Sequence, residues 1–166
     1  MLQLETFVSP IGPLALAAHD GRVCLLHFGA DDRQVRRTLG RWYPSESIAS
    51  DPDPAGAVSA LRAYFGGDVH ALDAVAVEMN GTPFQQRVWN ALRTVRAGTT
   101  VAYADIARAI KLPSAVRAVG AANGANPVAV IVPCHRIIGS NGSLTGYGGG
   151  LDRKRWLLRH EGCLLV

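Results

Sequence analysis

Leu2, Leu4, Thr6 and Val8 are interleaved with Gln3, Glu5 and Phe7, the two-residue period of a strand with one face turned inward. Ser9-Pro10-Ile11-Gly12-Pro13 interrupts this run. Beyond it, Leu14 to Ala18 and Arg22 to Phe28 flank His19-Asp20-Gly21, a polar step ending in glycine that predicts a hairpin. Two or three antiparallel strands follow. The polar stretch from Asp31 to Arg41 predicts a short helix, and Ser50-Asp51-Pro52-Asp53-Pro54 a loop. Ala57 to Phe65 then sets Val58, Leu61, Tyr64 and Phe65 at helical spacing before Gly66-Gly67 stops the helix.

The pattern changes near residues 72 to 81, which places one domain at 1–78 and a second at 79–166. Thr82-Pro83-Phe84-Gln85 has the form of a capping box, with proline at the first helical position where its missing N–H costs nothing. Phe84, Val88, Leu92 and Val95 give that helix an apolar face, and Ala97-Gly98 ends it. Tyr103 to Ile110, the turn Lys111-Leu112-Pro113, and a helix capped by Ser114 and running to Asn123 make a helix-turn-helix candidate, with Gly124 as a left-handed cap. An ordinary helical hairpin has the same spacing. Composition favours nucleic acid: Ala118, Ala121 and Ala122 surround Arg117, so a slim helix carries one long cation. Val128 to Val132 reads as a buried strand delivering Pro133-Cys134-His135-Arg136. A glycine-rich loop, 139 to 150, precedes a last helix from Asp152 to Glu161, with Asp152 as N-cap and Leu151 stapled to Trp156.

Composition narrows the class. The chain has 166 residues, 48% of them hydrophobic, enough for a real core and too apolar for a disordered chain. Its apolar runs fall far short of the roughly 20 residues a bilayer crossing needs, so no membrane partner is expected. The net charge of +4 is divided unevenly: residues 1–80 carry 6 basic and 10 acidic side chains, residues 81–166 carry 11 and 3. A polyanionic partner for the second half fits, as does a basic surface kept for solubility. Three widely spaced cysteines, Cys24, Cys134 and Cys163, and a start without a basic region or long apolar core point to a reducing cytoplasm rather than a secreted disulfide framework.

A cysteine at the end of an apolar run, followed at once by histidine and arginine, is the strongest chemical feature. A thiol with an ordinary pKa of about 8.5 needs a base or a positive field to become a nucleophile. His135 can be the base, directly or through a water, and Arg136 adds charge. Neighbours on a strand point to opposite faces, so Cys134 and His135 cooperate only if the chain turns at Pro133. A buried structural cysteine beside a surface histidine is the competing reading of the bare dipeptide. To orient the imidazole, only Asp152 and Glu161 are available between residues 106 and 166; Asp152 is expected to cap its helix, which leaves Glu161. Gly146 to Gly150 lacks the Gly-Lys-Ser/Thr ending of a phosphate loop and reads as a lid or plain loop. His19, Cys24, His27 and His70 lack metal-ligand spacing, so no metal site is expected, and Cys24 reads as a small core residue.

Gly81-Thr82-Pro83-Phe84-Gln85-Gln86-Arg87-Val88-Trp89, Tyr103, Arg117-Ala118-Val119-Gly120, Asn126-Pro127, Ile131-Val132-Pro133-Cys134-His135-Arg136, Tyr147-Gly148-Gly149-Gly150 and His160-Glu161-Gly162 together resemble the O6-alkylguanine-DNA alkyltransferases, in order and spacing across the C-terminal half. Ser9-Pro10-Ile11-Gly12 resembles the start of that family's N-terminal domain. The resemblance implies an α/β (α+β) protein: an N-terminal ribonuclease-H-like domain with an antiparallel sheet, and a helical C-terminal domain with a winged-helix-like helix-turn-helix. It implies minor-groove binding to double-stranded DNA containing O6-alkylguanine through Ser114, Arg117, Ala118 and Ala121, with Arg117 filling the stack left by a flipped-out base. It also implies irreversible, single-turnover alkyl transfer to Cys134 without a cofactor, His135 relaying the proton through water, Glu161 orienting His135, and Tyr103 hydrogen-bonding or protonating the guanine. Asn126, Arg136, Tyr147 and Gly148 would support the pocket, and the protein would be a cytoplasmic monomer, with cooperative assembly on DNA left open. Gly148 stands where some relatives have serine, and with Ala129 it suggests a roomier pocket. A non-reactive alkylated-DNA-binding protein and a Cys-His-Glu hydrolase or acyl-transfer enzyme are the two competing functions.

Overall fold

The computed structural model describes residues 1–163. The chain forms two compact units, residues 1–80 with 127–131, and residues 81–126 with the chain from 132 onward.

In the first unit, β1 (Leu2–Ser9), β2 (Gly12–His19) and β3 (Arg22–Phe28) pair antiparallel in succession. Asp20 and Gly21 both take positive φ, 46° and 73°, as a tight hairpin turn of matching twist requires. A short β4 (Ile48–Ser50), unmarked by any strong pattern in the sequence, pairs parallel with β1, so the sheet is mixed rather than wholly antiparallel. Leu14 to Ala18 in β2 are all buried, which is why that run has no polar alternation. α1 (Asp32–Trp42) is capped by Asp31, whose carboxylate accepts from the Arg33 and Gln34 amides at 3.0 and 3.2 Å. Its Val35 and Leu39 join Leu2, Ala15, Ala17, Cys24, Leu25 and Tyr43 in one core cluster. α2 (Ala57–Phe65) buries Val58, Leu61 and Tyr64. Val8, expected on the inward face of β1, is instead 81% exposed near the strand's end.

The second unit is helical. α3 (Pro83–Leu92) starts at the expected capping box: Thr82 Oγ1 accepts from the Gln85 amide at 3.2 Å and Gln85 Oε1 from the Thr82 amide at 2.9 Å. The helix ends at Leu92, earlier than its apolar spacing implied, and Val95 follows in a turn. Two-residue strands β5 (Val101–Ala102) and β6 (Ile137–Ile138) pair in parallel and are the β-structure of this unit. α4 (Tyr103–Ala109) and α5 (Val116–Gly124) form the helix-turn-helix. α3 holds both, because Arg87 donates to the Ile110 carbonyl and the buried Trp89 Nε1 to the Ala122 carbonyl at 2.8 Å. α6 (Leu151–His160) closes the unit with Leu157 and Leu158 in the core.

Several local expectations are corrected. Ser114 does not cap α5; the N-cap is Ala115 without a side-chain bond, and Ser114 is exposed in the preceding turn. Gly124 is helical rather than left-handed, and Ala125 ends the helix at φ −90°. Asp152 lies in the first turn of α6 rather than at its cap, which is Gly150 at φ 90°, so Leu151 and Trp156 do not hold staple positions. Val128 to Val132 are buried as expected but are not a strand. Only Val128 bridges, to Leu26 of β3; residues 129–131 turn, with Val130 at φ 69°.

Candidate active site

The turn at 129–131 is followed not by an extended strand end but by a single 3-10 turn, Cys134–Arg136, with Pro133 at its N-cap. The obstacle to a Cys134–His135 pair is thereby removed, since consecutive residues of a tight helical turn do not point to opposite faces as on a strand. All three side chains are buried. Two asparagines hold this turn: Asn126 Nδ2 donates to the Val132 carbonyl at 2.8 Å and Asn123 Nδ2 to the Cys134 carbonyl at 3.4 Å.

His135 Nε2 lies 2.8 Å from Glu161 Oε1, and both side chains are fully shielded from solvent. Arg136 grips the same carboxylate in a fork, Nε to Oε2 at 2.9 Å and Nη2 to Oε1 at 2.8 Å, while its Nη1 donates to the Val95 carbonyl at 2.5 Å. Burial pushes the Glu161 carboxyl up, but the bonds from His135 and Arg136 outweigh it and hold the group far below the usual carboxylate range. Glu161 is the C-cap of α6, where a helix dipole disfavours negative charge; the Arg136 fork is what stabilises it there.

Burial lowers the His135 pKa despite Glu161, so the ring is neutral at neutral pH. With an ionised carboxylate accepting at Nε2, the ring proton sits on Nε2, and Nδ1 carries the free lone pair. Nδ1 is buried and has no hydrogen-bond partner among the described residues. The Cys134 thiol is pushed up by burial, an effect opposed by the nearby Asn126 amide and by the charge of Lys154. The resting group is therefore a buried thiol, next in the chain to a neutral, shielded imidazole.

Tyr103, half-buried, opens α4, and its hydroxyl lies 2.9 Å from Thr145 Oγ1. Its ring lies about 3.8 Å from where a Cβ at Gly120 of α5 would stand. Ser114, Arg117, Ala118 and Ala121 are all exposed on the helix-turn-helix. Gly148 is exposed with open space where a Cβ would be.

Lys154 was not anticipated. It is completely buried, its ammonium donating to the carbonyls of Ile137 and Thr145, the latter at 3.2 Å, and burial lowers its pKa. The signal was present: Lys154, Leu157, Leu158 and Glu161 fall at i, i+3, i+4 and i+7, one face of α6.

Residues 3–79 match the model of the 6-O-methylguanine DNA methyltransferase ribonuclease-like domain, and residues 83–163 that of the 6-O-methylguanine DNA methyltransferase DNA binding domain. The methylated-DNA–protein-cysteine methyltransferase of Mycobacterium tuberculosis is 48% identical over 97% of this chain and 93% of its own. That of Shigella flexneri is 42% identical over the whole of both chains. The crystal structure of Mycobacterium tuberculosis OGT in complex with DNA superimposes with a TM-score of 0.78, at 45% identity, over 96% of this chain and 92% of that one. With both halves matched in order and full-length relatives far above the level of chance, the chain belongs to the methylated-DNA–protein-cysteine methyltransferase family.

Proposed function

We propose that this protein repairs DNA by moving the methyl group of O6-methylguanine onto its own Cys134. The observation that carries the reading is the buried His135, neutral, oriented by Glu161, with an unpartnered Nδ1, next to a cysteine on a 3-10 turn. As sulfur attacks the methyl carbon, the C–O6 bond breaks and the electron pair leaves with guanine. The thiol proton passes through a water to His135 Nδ1, and Tyr103 donates to the base as charge develops on it. Attack on demand suits a raised thiol, because the thiolate forms only when the acceptor carbon is in place. The product is a thioether, so each molecule reacts once and no cofactor is consumed.

O6 is unreachable within a duplex, so the base must leave the stack, at a cost of a few kcal/mol that a poorly pairing alkylguanine lowers. The exposed Arg117 on α5 fills the gap, while Ser114, Ala118 and Ala121 approach the minor groove. Eleven basic against three acidic residues from 81 onward supply the attraction to phosphate. Asn126 holds the backbone that leads into Cys134 and Arg136 holds the carboxylate, while Tyr147 and Gly148 lie on the loop between β6 and α6. The division expected at 78/79 falls instead at 80/81, with 127–131 returning to the first unit; Cys134, His135 and Glu161 all belong to the second, reacting unit of a monomer working in the cytoplasm.

Duplex DNA bearing a radiolabelled O6-methyl group tests this. Cys134→Ser is expected to bind that duplex as wild type does and never acquire label. Full label transfer to the serine variant would overturn the assignment of the nucleophile, and tight binding without label in wild type would make the protein a damage binder instead.

A further inference from the structure

Thr145 stands at the meeting point of two bonds that the transfer itself does not explain. Its Oγ1 is 2.9 Å from the Tyr103 hydroxyl, and its carbonyl accepts from Lys154 Nζ at 3.2 Å. Lys154 also donates to the Ile137 carbonyl, one residue beyond the turn that carries Cys134. A buried ammonium is costly unless its protons are taken up, so these carbonyl bonds are expensive to break. They fix the loop at residue 145 against α6, and that in turn fixes where the threonine hydroxyl points.

The Tyr103 ring already has its place, as the first residue of α4 lying against Gly120. Its phenolic hydrogen remains free to rotate. We infer that Thr145 is a positioning residue for alkyl transfer, setting the direction in which the Tyr103 hydroxyl donates; the inference rests on the role proposed above for Tyr103. When the Thr145 hydroxyl donates to the Tyr103 oxygen, the tyrosine hydrogen is turned away from the loop and toward the incoming base. Donors arranged in a chain polarise one another, so Tyr103 becomes the stronger donor as the guanine takes up the electron pair of the broken C–O6 bond. Thr145 forms no covalent bond and exchanges no proton in the step. Lys154 acts one stage further back, holding the backbone that carries Thr145.

Single-turnover transfer from an O6-methylguanine duplex, with protein in excess, separates the limiting rate from the half-saturating concentration. Thr145→Val keeps the shape and removes the hydroxyl; it is expected to lower the limiting rate about tenfold, the worth of one hydrogen bond, with half-saturation unchanged. Thr145→Ser restores the hydroxyl and is expected to react within about twofold of wild type. In a Tyr103→Phe background, Thr145→Val should slow the reaction no further, because its partner is gone. An equal loss in that background, a serine variant as slow as valine, or a loss confined to half-saturation would each overturn the inference. Wild-type protein that takes no methyl on Cys134 would sink the transfer reading itself, and this inference with it.

Discussion

The two units bury different things. In the first, no charged side chain is fully buried among the described residues, and the core is Leu, Ala, Val, Cys24, Tyr43 and Tyr64, with Ser9 and the two phenols as its polar members. In the second, His135, Arg136, Lys154, Glu161 and Asn123 are all buried. The first unit has its own charged cluster: His19 Nδ1 is 3.1 Å from Glu78, which also accepts from the Tyr43 hydroxyl at 3.0 Å. That cluster stays partly open to water. Removing charges from water costs several kcal/mol per ion and is repaid only by close, complete pairing. A fold that needed stability alone would be built like the first unit; the second accepts that cost to keep a neutral base and a fixed carboxylate beside a thiol.

The sharpest way to test this contrast is to break one pair in each unit. Glu161→Gln leaves the Arg136 guanidinium buried without its counter-charge, and is expected to destabilise the protein by about 3–5 kcal/mol as well as to remove transfer. Glu78→Gln is expected to cost under about 1 kcal/mol, since its partner His19 remains near solvent. Urea unfolding of both variants checks this; similar losses would erase the distinction between the units.

A smaller effect concerns where DNA is held rather than where sulfur reacts. Arg117→Ala is expected to slow repair of duplex substrate by about tenfold while leaving reaction with free O6-methylguanine within about twofold. Equal loss on both substrates would place Arg117 in the chemistry.

The smallest effect is a pair of opposite pH slopes. His19 has a raised pKa, chiefly through its bond to Glu78, so its contribution is complete below about pH 6.5 and is lost as pH rises through the raised value. His135 has a lowered pKa, through burial, so the fold refuses a proton that the unfolded chain takes, and stability falls as pH drops below about 6.5. Glu161, held low by His135 and Arg136 against burial, adds a further loss that begins as pH falls below about 4.3 and continues toward its depressed folded value. Urea midpoints measured across pH should show His19→Gln flattening the high-pH decline only. A change confined to the acid side would reverse the assignment of the two histidines.

Much of this was legible in the residues, and the rest failed for definable reasons. The Thr82 capping box, the Asp20-Gly21 turn and the Glu161 assignment rest on chemistry local in sequence or on scarcity of alternatives, and the geometry found agrees with each. An apolar run reports burial without reporting conformation, so Val128 to Val132 read as a strand although Val130 turns the chain at positive φ. The strands β4, β5 and β6 are too short, at three and two residues, to show a period. Caps at Ser114 and Asp152 were displaced because the chain enters each helix one or two residues away from the side chain best suited to cap it. The spacing of Lys154 with Leu157, Leu158 and Glu161 marks it for the buried face, but lysine is almost never fully buried without a partner, and its partners are backbone carbonyls that side-chain identities do not reveal.

In the proposed reaction one protein molecule takes one alkyl group on one cysteine. Intact-protein mass after incubation with a duplex carrying a single O6-methylguanine, followed by peptide mapping, tests it most directly. The expected result is a gain of one methyl group, located on Cys134, that saturates at one per molecule however much DNA is supplied. Continued turnover beyond one equivalent, or a methyl group found on Cys24 or Cys163 instead, would contradict it.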